Sequence, residues 1–290
     1  TTVSGILAVW ILARPNMPWK TSLRGVSEVV SFGGQLTLTS LMNTLASGAP
    51  ELFLGKMQSM VEAGYFSRAQ GLVSMFQRLV MDAVNAVALP YFARQSREAH
   101  DLGSTFIIAM ELVTGLAWPF FIGIAILAHP AIAILYGNQW GEAVDPARWL
   151  ALSCAIGIPS SVCYTPLVAV GAANETLKIA FVGTVLVLVA TLLGAAADLV
   201  ILSQLLGVAA ALSAVLWLRL AKRRLEFSAA ALWRCWFKSL VLAVATAAVP
   251  LAVITEMGWR SPQIMLSTSI AAVGGALGFL LAAWLTRHQV

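Results

Sequence analysis

Gln77, Arg78, Asp82 and Asn85 lie within about two helical turns of one another, near the middle of residues 66 to 92. That stretch is otherwise apolar and long enough to cross a bilayer, which takes about 20 residues of helix. Arg78 and Asp82 are four residues apart, so on a helix they share a face and can pair. A charge at bilayer depth costs roughly 2.5–3.5 kcal/mol on insertion scales and therefore faces protein or a watery cavity. Two readings follow. The pair is a structural lock between helices, or it is part of the wall of a polar cavity. Gln77 and Asn85 favour the cavity, since a structural pair alone would not call for further polar neighbours. An arginine there suits phosphate, because its planar fork of donors stays charged at any relevant pH.

Three more charged residues could take part in gating or coupling. Glu111 falls two to three turns into an apolar run, deep enough to be unusual. It could accept a coupling ion, answer a basic cavity residue, or snorkel to the nearer interface. Glu51 follows Pro50 near the end of one run, and Arg68 begins the next. They could meet as gate partners or be simple interfacial charges. Between residues 35 and 47 lie Gln35, Thr37, Thr39, Ser40, Asn43, Thr44 and Ser47. That polarity fits a cavity-lining helix, or equally hydroxyls bonded back to their own helix.

The elements that must position these groups are membrane helices. Of 290 residues, 59% are hydrophobic and 11% charged, against about 25% charged in soluble domains. Mean hydropathy is +0.85. The expected fold is an all-α polytopic membrane protein with nine apolar segments: about 1–13, 29–54, 66–92, 103–128, 147–170, 178–198, 203–221, 238–255 and 263–286. Threading these through a membrane puts thirteen basic residues on one side: Arg14, Lys20, Arg24, Arg94, Arg97, Lys178, Arg219, Lys222, Arg223, Arg224, Arg234, Lys238 and Arg287. Four fall on the other: Lys56, Arg68, Arg148 and Arg260. The positive-inside rule makes the richer side, with loop 14–28 and the C-terminus, cytoplasmic. Trp19, Trp217, Trp233, Trp236 and Trp284 near that side, and Trp140, Trp149 and Trp259 near the other, form an aromatic belt. Trp118, beside Pro119, is the exception and is expected at a kink. Asp198 is expected in a tight hairpin. Residues 222–237, basic with Leu, Phe and Trp between, read either as a helix lying on the anionic inner face or as a plain loop. Gly274, Gly278 and Ala282 form a small-residue stripe for close helix contact.

Several functions lack their signatures. The chain has no GxxxxGK[ST] loop for ATP, no GxSxG elbow, no HExxH and no large outer loop of the kind an acceptor site would occupy. Cys154, Cys163 and Cys235 have unrelated spacing and His100, His129 and His288 are scattered, so no metal site, disulfide or cofactor is indicated. Basic clusters flush with membrane ends argue against nucleic acid. Nothing in these residues argues for an enzyme, and catalysis within the membrane stays open as an alternative.

Five motifs carry a family resemblance: GYFSRAQGL from Gly64, LPYFAR ending at Arg94, LYGNQW from Leu135, WLAL from Trp149 and AVGAANETLKI from Ala169. In this order they resemble the polysaccharide or O-antigen flippases (Wzx-type) of the multidrug/oligosaccharidyl-lipid/polysaccharide exporter superfamily. The resemblance implies two six-helix lobes around a central cavity. Residues 1–13 would end the first lobe, 14–28 form the inter-lobe loop, 29–221 the second lobe, 222–237 a cytoplasmic linker and 238–290 two additional helices. The first five helices would precede this sequence. It further implies a bacterial inner-membrane flippase for an undecaprenyl-diphosphate-linked oligosaccharide of lipopolysaccharide or exopolysaccharide synthesis, alongside a polymerase or co-polymerase. Arg78 would meet the diphosphate, and Gln77, Asp82 and Asn85 the sugar hydroxyls. Where the family often has an aspartate late in the helix, this chain has Pro50 and Glu51. The alternatives are a cation-coupled multidrug antiporter, which would favour acidic cavity residues, and a membrane-embedded glycan polymerase or ligase.

Overall fold

A computed structural model of the chain describes residues 26–75, 77–82, 84, 88, 91–92, 94–95, 101–257, 274–275 and 279. Within them the regular structure is helical: α1 (Val26–Met57), α2 (Met60–Val73), a π turn (Gln77–Met81), α3 (Leu102–Tyr136), a 3₁₀ turn (Asn138–Ala143), α4 (Val144–Ala169), α5 (Ala173–Ala195), α6 (Leu199–Leu225) and α7 (Ala229–Met257). Among the described residues, five helical stretches, corresponding to α3 to α7, are long and apolar enough to cross a membrane. At 32 residues α1 is long enough, but its polar run keeps it outside that set. Phe181, Leu193, Val208 and Val244 expose more than half of their surface, as lipid-facing side chains do. The chain is an all-α, multi-pass membrane protein. The first and ninth expected segments lie outside the described residues, apart from Gly274, Gly275 and residue 279.

Several helix starts and ends carry identifiable chemistry. Ser59 caps α2, its Oγ accepting from the Glu62 N–H at 3.1 Å, and the S-x-x-E spacing is that of a capping box. Asp101 caps α3 through Gly103 N–H at 2.9 Å and Ser104 N–H at 3.3 Å. Hydrogen bonds from Ser104 hold its carboxyl below the ordinary carboxylate range. Gly137 and Gly171, at φ 97° and 79°, turn the chain after α3 and between α4 and α5, where L-residues are strained. The expected hairpin at Asp198 is present: α5 ends at Ala195, and Asp198 Oδ1 accepts from Leu199 N–H at 2.7 Å to start α6.

Residues 222–237 are shared between two helices rather than forming one of their own. Lys222 to Leu225 complete α6, Glu226 breaks it in the left-handed conformation (φ 52°), and α7 begins at Ala229. The expected span 66–92 also differs. Helix α2 starts earlier, at Met60, and its regular α geometry gives way after Val73, while the described residues beyond it, 75, 77–82, 84, 88, 91–92 and 94–95, remain helical. The π turn with Arg78 lies among them.

Packing arranges these helices as a ring. α1 contacts α2 and α5, α2 contacts α4, α4 contacts α6, and α6 closes on α5. α3 lies against α4, and α7 lies against α3. Trp118, at the expected kink site, ties α3 to α4 by donating Nε1–H to Ala155 O at 3.0 Å. Glu111 pairs with Lys238 of α7 at 2.8 Å, and Thr114 Oγ1 meets Ser239 Oγ at 2.9 Å. The glutamate therefore answers a basic residue of another helix. Of the small-residue stripe, Gly274 lies among the described residues, but its neighbour Gly275 faces α7, where a Cβ would sit 3.3 Å from Thr246 O.

Two measurements test this packing. At Gly194 a Cβ would lie 2.4 Å from Leu202 Cα, whereas at Gly123 nothing lies within 4 Å. Gly194→Ala should lower stability in detergent by about 1–3 kcal/mol, the usual cost of overpacking, while Gly123→Ala stays near wild type in the same thermal scan. Removing one partner of a buried ion pair costs 3–5 kcal/mol. Lys238 is partly exposed, so Glu111→Gln or Lys238→Met should cost about 3 kcal/mol or less, with the double variant recovering part of the loss in unfolding assays.

Candidate functional site

The GYFSRAQGL motif forms the C-terminal part of α2. Gly64, Arg68 and Gly71 share a helix face at i, i+4, i+7 spacing. That face lies on the LYGNQW motif, which ends α3 and enters the 3₁₀ turn. A Cβ at Gly64 would touch Trp140 at 3.5 Å, and one at Gly71 would meet the Tyr136 hydroxyl at 3.2 Å. Glycine at both positions lets the two segments approach. Tyr65 meets Trp140 edge-on, with centroids 5.8 Å apart. The Arg68 guanidinium lies 5.4 Å from the Tyr136 ring centroid and 4.9 Å from that of Trp140. Such stacking contributes about 0.5–1 kcal/mol per contact at an exposed site and fixes where the charge points.

Beside this joint opens a cleft of about 420 Å³, lined by Glu51, Arg68, Gln70, Ser74, Arg78 and Tyr136 among others. Three of the charged residues singled out in the sequence, from two helices and the π turn, thus meet at one place. Arg78 stands in the π turn, a deformation found frequently at functional sites. The side chains of Arg78 and Asp82 are both exposed. Asn85 lies outside the described residues, as does the side chain of Gln77. Glu111 does not line this cleft; it lies between α3 and α7.

A second cavity, of about 390 Å³, occupies the lumen of the ring. Its walls come from α1 (Ala46, Ser47, Pro50), α2 (Phe66, Gln70, Val73), α3 (Phe121), α4 (Leu150, Ser153, Ile158), α5 (Val187) and α6 (Leu206, Ala210). Three wall hydroxyls are already satisfied by carbonyls: Ser47 donates to Thr44 O at 3.0 Å, Ser74 to Gly71 O at 2.9 Å, and Ser153 to Trp149 O at 2.7 Å. Thr37, Thr39 and Thr44 likewise bond back along α1, so most of the polar run of α1 serves its own helix. Gln70 and Ser74 line both cavities.

Sequence reasoning did not anticipate Gln70 and Ser74 as this seam, nor Tyr136 and Trp140 as the support of Arg68. The i, i+4, i+7 spacing of Gly64, Arg68 and Gly71 was the available signal. Cys154, Cys163 and Cys235 are free thiols. Among the described residues, no group of three or more acidic, His or Cys side chains could hold a metal.

The chain resembles three curated proteins of polysaccharide synthesis. It is 27% identical over 169 residues to the succinoglycan biosynthesis transport protein ExoT of Rhizobium meliloti (strain 1021), covering 58% of this chain and 34% of that protein. It is 24% identical over 130 residues to the teichuronic acid biosynthesis protein TuaB of Bacillus subtilis (strain 168), covering 45% and 27%. It is 23% identical over 149 residues to the lipopolysaccharide biosynthesis protein WzxC of Escherichia coli (strain K12), covering 51% and 29%. The chain thus spans about a third of the length of the curated relatives it matches. A family model described as polysaccharide biosynthesis protein matches residues 1–145, half of the 290 residues, and takes in α1, α2, the cleft arginines and all of α3. By that match, this multi-pass helical chain belongs to the polysaccharide biosynthesis protein family.

Proposed function

We propose that this chain forms one lobe of an inner-membrane transporter that moves an undecaprenyl-diphosphate-linked oligosaccharide across the bilayer by alternating access, leaving the substrate covalently unchanged. The observation that carries the proposal is the cleft itself. Arg68 and Arg78 converge beside a single carboxylate, Glu51, in a bundle whose buried side chains are mostly apolar apart from scattered hydroxyls and the Glu111–Lys238 pair. Two guanidinium forks suit a diphosphate, and the aromatic stack under Arg68 holds one of them in a fixed direction. Arg78 contacts the diphosphate, with Gln77, Asp82 and Asn85 serving the adjoining sugars. Glu51 and Arg68 work as a gate at the same mouth, and Asp82 is the candidate acceptor for a coupling ion. Glu111 is already paired with Lys238 and holds α7 on α3 as the lobe moves. The transport named in one relative and the polysaccharide synthesis named in all three support this reading. A polysaccharide polymerase is the expected partner downstream, and the basic residues at helix ends support a cytoplasmic C-terminus. A cation-coupled multidrug antiporter would instead favour acidic residues where this cleft has two arginines and one glutamate.

The test is glycan display in a strain deleted for the intact gene and complemented at matched membrane abundance. Losing a hydrogen bond to a charged group costs about 1.5–3 kcal/mol, so Arg78→Ala should reduce display by about 10- to 100-fold, with lipid-linked repeat units accumulating inside. Arg78→Lys should restore part of the activity. Wild-type display with Arg78→Ala would make Arg78 a packing residue and remove the site assignment.

A further inference from the structure

The lumen cavity and the charged cleft adjoin, since Gln70 and Ser74 line both. They differ in chemistry. The cleft presents Arg68, Arg78 and Glu51. The lumen presents Phe66, Val73, Phe121, Leu150, Ile158 and Leu206, and the hydroxyls of Ser47, Ser74 and Ser153 are spent on helix carbonyls. At about 390 Å³ the lumen falls within the range of ~300–1,000 Å³ of ligand-binding cavities. An apolar chamber of that size inside a bilayer forfeits the dispersion contacts of its walls unless an apolar group fills it. At the seam, the carbonyl oxygen Oε1 of Gln70 is buried without a hydrogen-bond partner, and the amide nitrogen reaches Ser47 O only at 3.4 Å. A buried acceptor left unmade costs about 1–3 kcal/mol, and a hydroxyl or water arriving with a ligand's headgroup would satisfy it.

We propose that the ring holds the phosphate-proximal end of a polyprenyl chain, with the first isoprene units in the lumen and the diphosphate in the cleft. The site deepens the transport reading above and rests on it. The head-to-tail order of the ligand matches the order of the two cavities: an anionic group beside two arginines, then a hydrocarbon chain among the apolar walls beyond Gln70. A free sugar phosphate would leave the lumen empty. A neutral hydrocarbon would leave the arginines unanswered.

The experiment uses the intact protein in lipid nanodiscs and an undecaprenyl diphosphate bearing a photoreactive diazirine on its first isoprene unit. Labelled peptides should contain Phe66, Val73, Leu150 or Leu206. Excess unlabelled undecaprenyl diphosphate should compete, and phosphatidylglycerol should not. Ala210→Trp, which fills the lumen, should cut labelling at least fivefold. Ser161→Phe, at an exposed wall position, provides the same test if Ala210→Trp does not insert. Label that is competed and is lost with Arg78→Ala, yet maps outside the lumen or survives both filling variants, would overturn the inference and leave the transport reading standing. Equal competition by phosphatidylglycerol would make the lumen a general phospholipid site and also overturn it. Label that nothing competes would count against both.

Discussion

Helices in hydrocarbon gain little from hiding apolar surface, because lipid tails are as apolar as leucine, so close approach of backbones decides which helices stay together. This chain meets that constraint with small residues at its contacts. Gly194 lets α5 turn onto α6 against Leu202, and Gly207 receives the Ser153 hydroxyl, which would stand 2.7 Å from a Cβ there. Gly103 brings the start of α3 to within 2.7 Å of Leu225 O, measured from where its Cβ would be. Gly64 and Gly71 let α2 settle on Tyr136 and Trp140. Two of these contacts, α5 on α6 and α4 on α6, are joints of the ring of α1, α2, α4, α6 and α5 that surrounds the lumen.

Polar groups then sort into two populations. Most hydroxyls are spent locally: Thr114, Thr184, Ser203 and Thr246 each donate to the carbonyl four residues earlier. Thr114 and Thr184 also reach a neighbouring helix, at Ser239 Oγ (2.9 Å) and Met42 O (3.4 Å). The charged groups are placed differently. Glu111 and Lys238 neutralise one another between α3 and α7, and Glu175 and Arg224 do so where α5 begins and α6 ends. Arg68 is directed by aromatic rings and Arg78 by a π turn, and both open onto a cleft. Charge that is paired across helices holds the bundle, and the charge of Arg68 and Arg78 faces the cleft.

What the sequence made legible follows from local pattern. Apolar runs of membrane length located α3 to α7, and Asp198 located the α5–α6 hairpin. The rest depends on contacts that no local pattern reports. Glu111 and Lys238 are 127 residues apart, so the glutamate's depth was visible but its partner was not. The basic run 222–237 has the composition of an interfacial helix, yet its break falls at Glu226, where backbone conformation rather than side-chain chemistry ends α6. The stretch 66–92 is apolar without Pro or Gly between Gly71 and Pro90, and so reads as one helix. Its interruption after Val73 has no signature in residue type.

That interruption matters for the site. The backbone hydrogen bonds run on through it, with Ser74 N–H bonding Gln70 O at 2.8 Å and Arg78 N–H bonding Ser74 O at 3.2 Å, while the Ser74 hydroxyl turns back to Gly71 O. What changes is the geometry, from α up to Val73 to π over Gln77–Met81. The seam residues Gln70 and Ser74 therefore sit where the α geometry ends. The change from apolar lumen to charged cleft occurs where the backbone changes from α to π geometry, and Arg78 lies on the cleft side of that change.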